Sequence, residues 1–203
     1  MTVNVKNAFI GSPPIDGGVF YRAPLGTPLP KSATEELDAA FEDHGAVGDD
    51  GIAVSNERNT SDIKMFGGGT FIDVQESYDE TIVLTLLEDD NDAVLKTTFG
   101  DHAVKKTEAT AEHGVQRTVY HTEQQLPLSS FVVKSVYGDK SKTYVVERGR
   151  VANVSEIKDV HSDVTRHQIT IKTFKPVTDE LKGGYVLELR DDGEASSDTV
   201  GDE

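Results

Sequence analysis

Six histidines, His44, His102, His113, His121, His161 and His167, are the side chains of this chain best suited to metal ligation or proton transfer. None falls at a paired spacing such as H-E-x-x-H, so a shared metal is not indicated, and all six read as surface residues at turns and strand ends. The run Glu88-Asp89-Asp90-Asn91-Asp92 offers oxygen ligands of the kind calcium takes. It lacks the glycine and later glutamate of an EF-hand loop, and it stands directly before a helical pattern. Capping that helix and complementing its dipole is the better reading. Gly67-Gly68-Gly69 has no Lys-Ser/Thr after it and leads into a strand, so it is a turn needing positive φ rather than a phosphate loop. No Gly-x-Ser-x-Gly elbow occurs, and there is no cysteine to serve as nucleophile, thiolate ligand or disulfide. Carboxylate pairs are so abundant at a net charge of -16 that none stands out as an acid/base couple. The expectation is therefore no enzyme, no metal and no cofactor.

The elements around these residues are mostly strands. From Thr70 to Leu86 apolar residues hold the even positions (Ile72, Val74, Tyr78, Ile82, Leu84, Leu86) and polar ones most odd positions, which predicts one long strand with one buried face. At about 3.3 Å per residue it spans about 55 Å, beyond the usual strand length. Its even face is expected in the core throughout, and its polar face, with Asp73, Gln75, Ser77 and Asp79, is free for another role. Further strands are expected at 19–21, from Ile52 after an Asp49-Asp50-Gly51 turn, and at 115–121, 130–137, 143–147, 165–174 and 185–190. Two helices are expected. One starts at Ser32 with Glu35 in the capping-box pattern, buries Leu37, Ala40 and Phe41, and ends at Gly45. The other runs from Asn91 to Phe99 and ends at Gly100.

Length suits one core with extensions: an arm at 1–16 holding Gly11-Ser12-Pro13-Pro14, a β domain at 17–190, and an acidic tail at 191–203 that reads as disordered. The start lacks the basic and apolar stretches of a signal peptide, and no apolar run is long enough to span a membrane, so a cytoplasmic location is expected. Residues 35–101 carry a net -15 and the tail -6. Such a surface repels phosphate, which argues against nucleic-acid affinity and against anionic membranes.

The stretch from Gly17 to Val104 resembles the major tail (tail-tube) proteins of long-tailed, siphovirus-type bacteriophages of actinobacteria. The resemblance lies in the order and spacing of several pieces: Gly17-Gly18-Val19-Phe20, then Ala23-Pro24-Leu25-Gly26-Thr27-Pro28-Leu29-Pro30, Leu37-Asp38-Ala39-Ala40-Phe41 and Asp50-Gly51-Ile52. Ser61-Asp62-Ile63-Lys64, Phe66-Gly67-Gly68, Val74-Gln75, Leu86-Leu87-Glu88 and Asn91 through Phe99-Gly100-Asp101 follow. It implies a mainly β subunit, a β-sandwich or half-barrel with one or two short helices, whose inner strands complete a ring-shaped barrel on oligomerisation. It further implies a structural virion protein of the tail, assembled in the host cytoplasm as hexameric rings stacked into a tube. Tape-measure, tail terminator and baseplate proteins would be its partners, with genome DNA passing through the lumen without specific binding. Under that reading Asp73, Gln75, Ser77 and Asp79 are the candidate lumen-facing residues. The alternatives are an acidic β-sandwich binding module for a carbohydrate or protein ligand, with or without calcium, and a carboxylate-pair hydrolase on a β scaffold.

Overall fold

The alternation from Thr70 to Leu86 becomes a single 17-residue strand, paired along its whole length with an 18-residue neighbour. The computed structural model describes residues 3–15 and 17–194. In chain order the strands are β1 (Phe20–Pro24), β2 (Glu42–Asp43), β3 (Val47–Lys64), β4 (Thr70–Leu86), β5 (Val104–Thr107), β6 (Gln116–Val119), β7 (Ser129–Tyr137), β8 (Lys140–Val154), β9 (His167–Thr173) and β10 (Leu187–Asp191). One helix, α1 (Asp92–Phe99), follows β4. The fold is mainly β: an open antiparallel sheet in the order β2-β1-β7-β8-β9-β4-β3, with β10 beside the first half of β8, and a separate β5-β6 hairpin. The tail beyond residue 194, expected to be disordered, lies outside the described residues.

Alternation along the strands sorts the apolar residues onto two faces. Phe20, Phe131, Val133, Val146, Ile169, Ile171, Ile82, Leu84 and Leu86 pack on one face with Val94 of α1. Ala23, Val132 and Val145 lie on the other, under Leu29, Leu37 and Phe41 of the segment between β1 and β2. β8 serves both halves of the sheet because its register shifts between the pairs Ser129–Gly149 and Phe131–Val146, which bends it. Gly149 sits at that bend for lack of space: a Cβ there would lie 2.9 Å from the Phe131 ring. The chain running on as strand through Arg148-Gly149-Arg150 to Val154 was not expected from the sequence.

The helix from Asn91 forms as expected. Asn91 Oδ1 accepts from the Ala93 amide at 2.9 Å, and Gly100, at φ 101°, closes the other end. The expected helix from Ser32 to Gly45 is not there; the segment is an irregular strap. The Glu35 carboxylate does reach back to the amides of Lys31 and Ser32, at 2.6 and 3.3 Å, as a capping box would. The carbonyls a helix needs are taken by the sheet: Thr143 Oγ1 donates to Ala33 O and Lys134 Nζ to Glu35 O, both at 3.1 Å. Asp38 then folds a turn onto the Ala40 amide, placing Phe41 in the core while Ala40 stays exposed. Gly45, expected as a helix terminator, takes φ 70° in the turn into β3 instead. Asp49-Asp50-Gly51 likewise lies within β3, as an irregularity between the Val47–Leu86 and Ile52–Leu84 pairs, not as a separate turn.

Two histidines expected at the surface are fully buried. His44 must donate through Nδ1 to the Glu42 carbonyl at 3.0 Å, since a carbonyl cannot donate, so Nε2 accepts from the Thr97 hydroxyl at 2.7 Å. Arg22, held in a bidentate pair by Asp101 at 3.1 and 2.5 Å, also reaches Thr97. Burial first, and the Arg22 charge after it, push the His44 pKa down to about 4. Below its unfolded pKa of about 6.5 the unfolded chain takes a proton that the folded chain refuses. The stability tied to His44 is thus complete above about pH 6.5 and drains away as pH falls towards 4. Unfolding free energy should drop by about 1 kcal/mol between pH 6 and 5 from this group alone. Denaturant melts of His44→Gln should lack that component; an identical slope in variant and wild type would contradict it.

Candidate assembly surface

β3 and β4 leave the core as a two-stranded arm. Their base halves belong to the domain: Ile82, Leu84 and Leu86 are buried, and Ile52 and Val54 pack against them. Beyond it, from Asn56 to Gln75, nearly every residue of both strands and the tip is exposed. The tip closes through Gly67 and Gly68, both at positive φ (99° and 90°), as the three-glycine run predicted, with the Met65 amide donating to Gly69 O at 2.9 Å. Where core gives way to arm, Arg58 lies 4.7 Å above the Tyr78 ring, and the Tyr78 hydroxyl donates to Glu80 at 2.9 Å. On the opposite face Lys172 pairs with Asp79 at 2.6 Å.

The sequence suggests one unbroken phase along β4, and the pairing shows otherwise. Asn59 pairs with Ser77 and Thr60 with Gln75, so Glu76 is an extra residue with no partner across the ladder. Since β3 has no insertion there, its alternation tells which side each β4 residue takes. On the core side, Ile52, Val54, Arg58, Thr60 and Asp62 face Leu84, Ile82, Tyr78, Gln75 and Asp73. On the other side, Glu57, Asn59, Ser61 and Ile63 face Asp79, Ser77, Val74 and Ile72. The bulge at Glu76 therefore exchanges the faces. This corrects two expectations. Ile72 and Val74 do not join the core; they are 47% and 43% exposed, on the side away from it. And the candidate residues Asp73, Gln75, Ser77 and Asp79 do not share a face: Asp73 and Gln75 continue the core side, while Ser77 and Asp79 lie on the opposite one.

The far half of the arm is thus apolar where the near half is polar. Ile63, Ile72 and Val74 cluster on the outward side, and Met65, Phe66 and Phe71 are exposed around the tip, Phe66 completely. Among the described residues β3 pairs only with β4, so its other edge is unpaired. In the middle of the sheet, a cleft of about 590 Å³ opens beside β7 and β8, lined by apolar Leu25, Pro28, Leu29 and Val177 and by the cations Lys31 and Arg148. Its wall is fixed by buried Glu147, whose carboxylate accepts from the Val177 amide at 2.8 Å and the Thr178 hydroxyl at 2.5 Å. Burial alone would raise the Glu147 pKa, but these hydrogen bonds together hold it below the ordinary value.

The acidic run before α1 is spent on structure. Glu88 accepts from the Ala46 amide, Asp89 meets buried His167 at 2.6 Å, and Asp92 is gripped by Arg117 at 2.5 Å and Lys106 at 3.3 Å from the β5-β6 hairpin. Among the described residues no three His, Asp or Glu side chains come together as a metal set. Among the described residues no helix is long and apolar enough to cross a membrane.

No family model matches the chain, and no curated protein matches it. Among solved structures, a chain of the sheath-tube complex of an extracellular contractile injection system, in its extended state, aligns over 87% of this chain and 90% of its own, with 9% identity and a TM-score of 0.41. A chain of the virion of a native gene transfer agent particle aligns over 68% of this chain and 86% of its own, with 12% identity and a TM-score of 0.37.

Proposed function

We propose that this protein is a structural subunit that associates with copies of itself into stacked hexameric rings, forming the tail tube of a long-tailed phage and the conduit for its DNA. The observation that carries this is the β3-β4 arm. A two-stranded ribbon exposed on both faces is marginal by itself in water, and a long unpaired edge invites pairing with another chain. Such an arm is a liability in a monomer and an asset where a neighbouring copy covers it. The resemblance of residues 17–104 to tail-tube proteins supports the same reading and brings with it tape-measure, terminator and baseplate partners and a place in the virion tail. In the ring, the outward face at the arm's base, with Ser77, Asp79 and Glu57, lines the bore; Asp73 and Gln75, on the other face, do not.

Concentrated purified protein should form rings or tubes, seen by negative-stain microscopy and as early elution in size exclusion. A species that stays monomeric at high concentration, with candidate partners added, would overturn the proposal and favour an acidic binding module.

A further inference from the structure

We infer that the arm tip of one copy docks in the Leu25–Leu29/Val177 cleft of a neighbouring copy; the inference rests on the self-association just proposed and names its contact. The arm's apolar residues cannot serve its own core. Once the bulge at Glu76 has exchanged the faces, Ile63, Ile72 and Val74 point away from the side on which Ile82 and Leu84 are buried. The tip also carries Phe66 fully exposed and Phe71 70% exposed, an apolar load of the kind that marks a contact surface.

The cleft matches this load in shape and charge. At about 590 Å³ it has room for an aromatic side chain and its neighbours, and Leu25, Pro28, Leu29 and Val177 give it an apolar lining. Val177 is itself 74% exposed. On the arm, Asp62 is neutralised by Lys64 at 2.5 Å, but Asp73 and Glu76 have no ion-pair partner among the described residues. Around the cleft, Lys31 and Arg148 have none within 4 Å either, the Arg148 charge acting at longer range on the Glu147 carboxylate. Two carboxylates thus stand along the arm behind the apolar tip and two cations around the apolar cleft, opposite charges that can set register in a contact.

The occupant is another copy of the chain, as self-association requires. The arm grows from the β4-β3 end of the sheet, and the cleft lies beside β7 and β8 in its middle, with β9 between. A tip-to-cleft contact uses different surfaces on the two copies. In the ring proposed above it is head-to-tail: each copy gives its tip to one neighbour and its cleft to the other.

The chain has no cysteine, so introduced thiols report without background. Phe66→Cys and Val177→Cys proteins, mixed under assembly conditions and treated with a short bismaleimide, should give a 66–177 linked dimer, with little product from either variant alone. Asp73→Lys with Glu76→Lys, added to the Phe66→Cys copy, should cut that yield about tenfold, and Lys31→Glu with Arg148→Glu in the Val177→Cys copy should restore it. Wild-type assemblies that form while the 66–177 link does not, or Phe66→Cys linking to itself as readily, would overturn the contact and leave self-association standing. A wild type that sediments as a monomer throughout would overturn both.

Discussion

Leu84→Asp should yield no soluble folded protein, whereas Ile72→Asp on the same strand should fold and melt within a few degrees of wild type. By sequence the two positions are equivalent, both even-numbered and apolar in one alternating run. In the structure Leu84 is 2% exposed, against Ile82 and Ile169 in the main cluster, while Ile72 is 47% exposed on the opposite face. A carboxylate forced into the Leu84 site finds no partner. Burying it costs several kcal/mol, comparable to the 5–15 kcal/mol that holds a domain together. At Ile72 the same carboxylate stays in water, and exposed substitutions of that kind change stability by about 0.5 kcal/mol or less. Circular dichroism melts of both variants decide the matter: equal destabilisation would mean that the arm folds back onto its own core. Ile72→Asp has a second expected effect. It should weaken self-association without touching the fold, because it puts a charge on the face that the arm offers to a neighbour.

What could be read from sequence follows how local the controlling interactions are. The helix after β4 was legible because Asn91 caps it and Gly100 ends it within one short stretch. The limits of β4, Thr70 and Leu86, were legible because alternation is a property of a strand by itself. Its change of face was not. That change depends on Asn59 and Thr60 skipping Glu76 across the ladder, and nothing in the residues around Glu76 marks it as unpaired. The strap at 32–41 has a capping box and a helical stripe, and it loses to Thr143 and Lys134, about a hundred residues away, which claim its carbonyls. His44 and His167 looked like surface residues for the same reason. Their partners, Thr97 and Asp89, are distant in sequence and supplied by the fold. For the candidate site, then, the long strand was visible in advance, and the grouping of its side chains into faces was not.

The face exchange also changes which charges can act together, and so the test of the proposed bore. Replacing Asp73 and Asp79 would place one charge on each side of the arm. Glu57 and Asp79, by contrast, are cross-strand partners on the outward face, with Ser77 and Asn59 next along it. A carboxylate wall keeps DNA off: phosphates are repelled within a Debye length of about 8 Å at physiological salt. Glu57→Lys with Asp79→Lys turns that pair cationic and sets the new lysine at 79 beside Lys172, its former ion-pair partner. The pair is nearly half exposed, so its loss should cost the fold about 1 kcal/mol or less and leave tubes able to assemble. Passing DNA should fare differently. Each ring would repeat the cationic pair at every subunit, and phosphates would bind the wall by releasing counterions, contact after contact along the tube. Virions carrying the double variant should have tails of normal length and eject their genome slowly or incompletely. The defect should be deepest at low salt, where attraction is least screened, and should ease as salt rises. If the face is external, ejection will keep the wild-type rate at every salt concentration. Normal-length tails with normal ejection in low salt would remove Ser77, Asp79 and Glu57 from the bore.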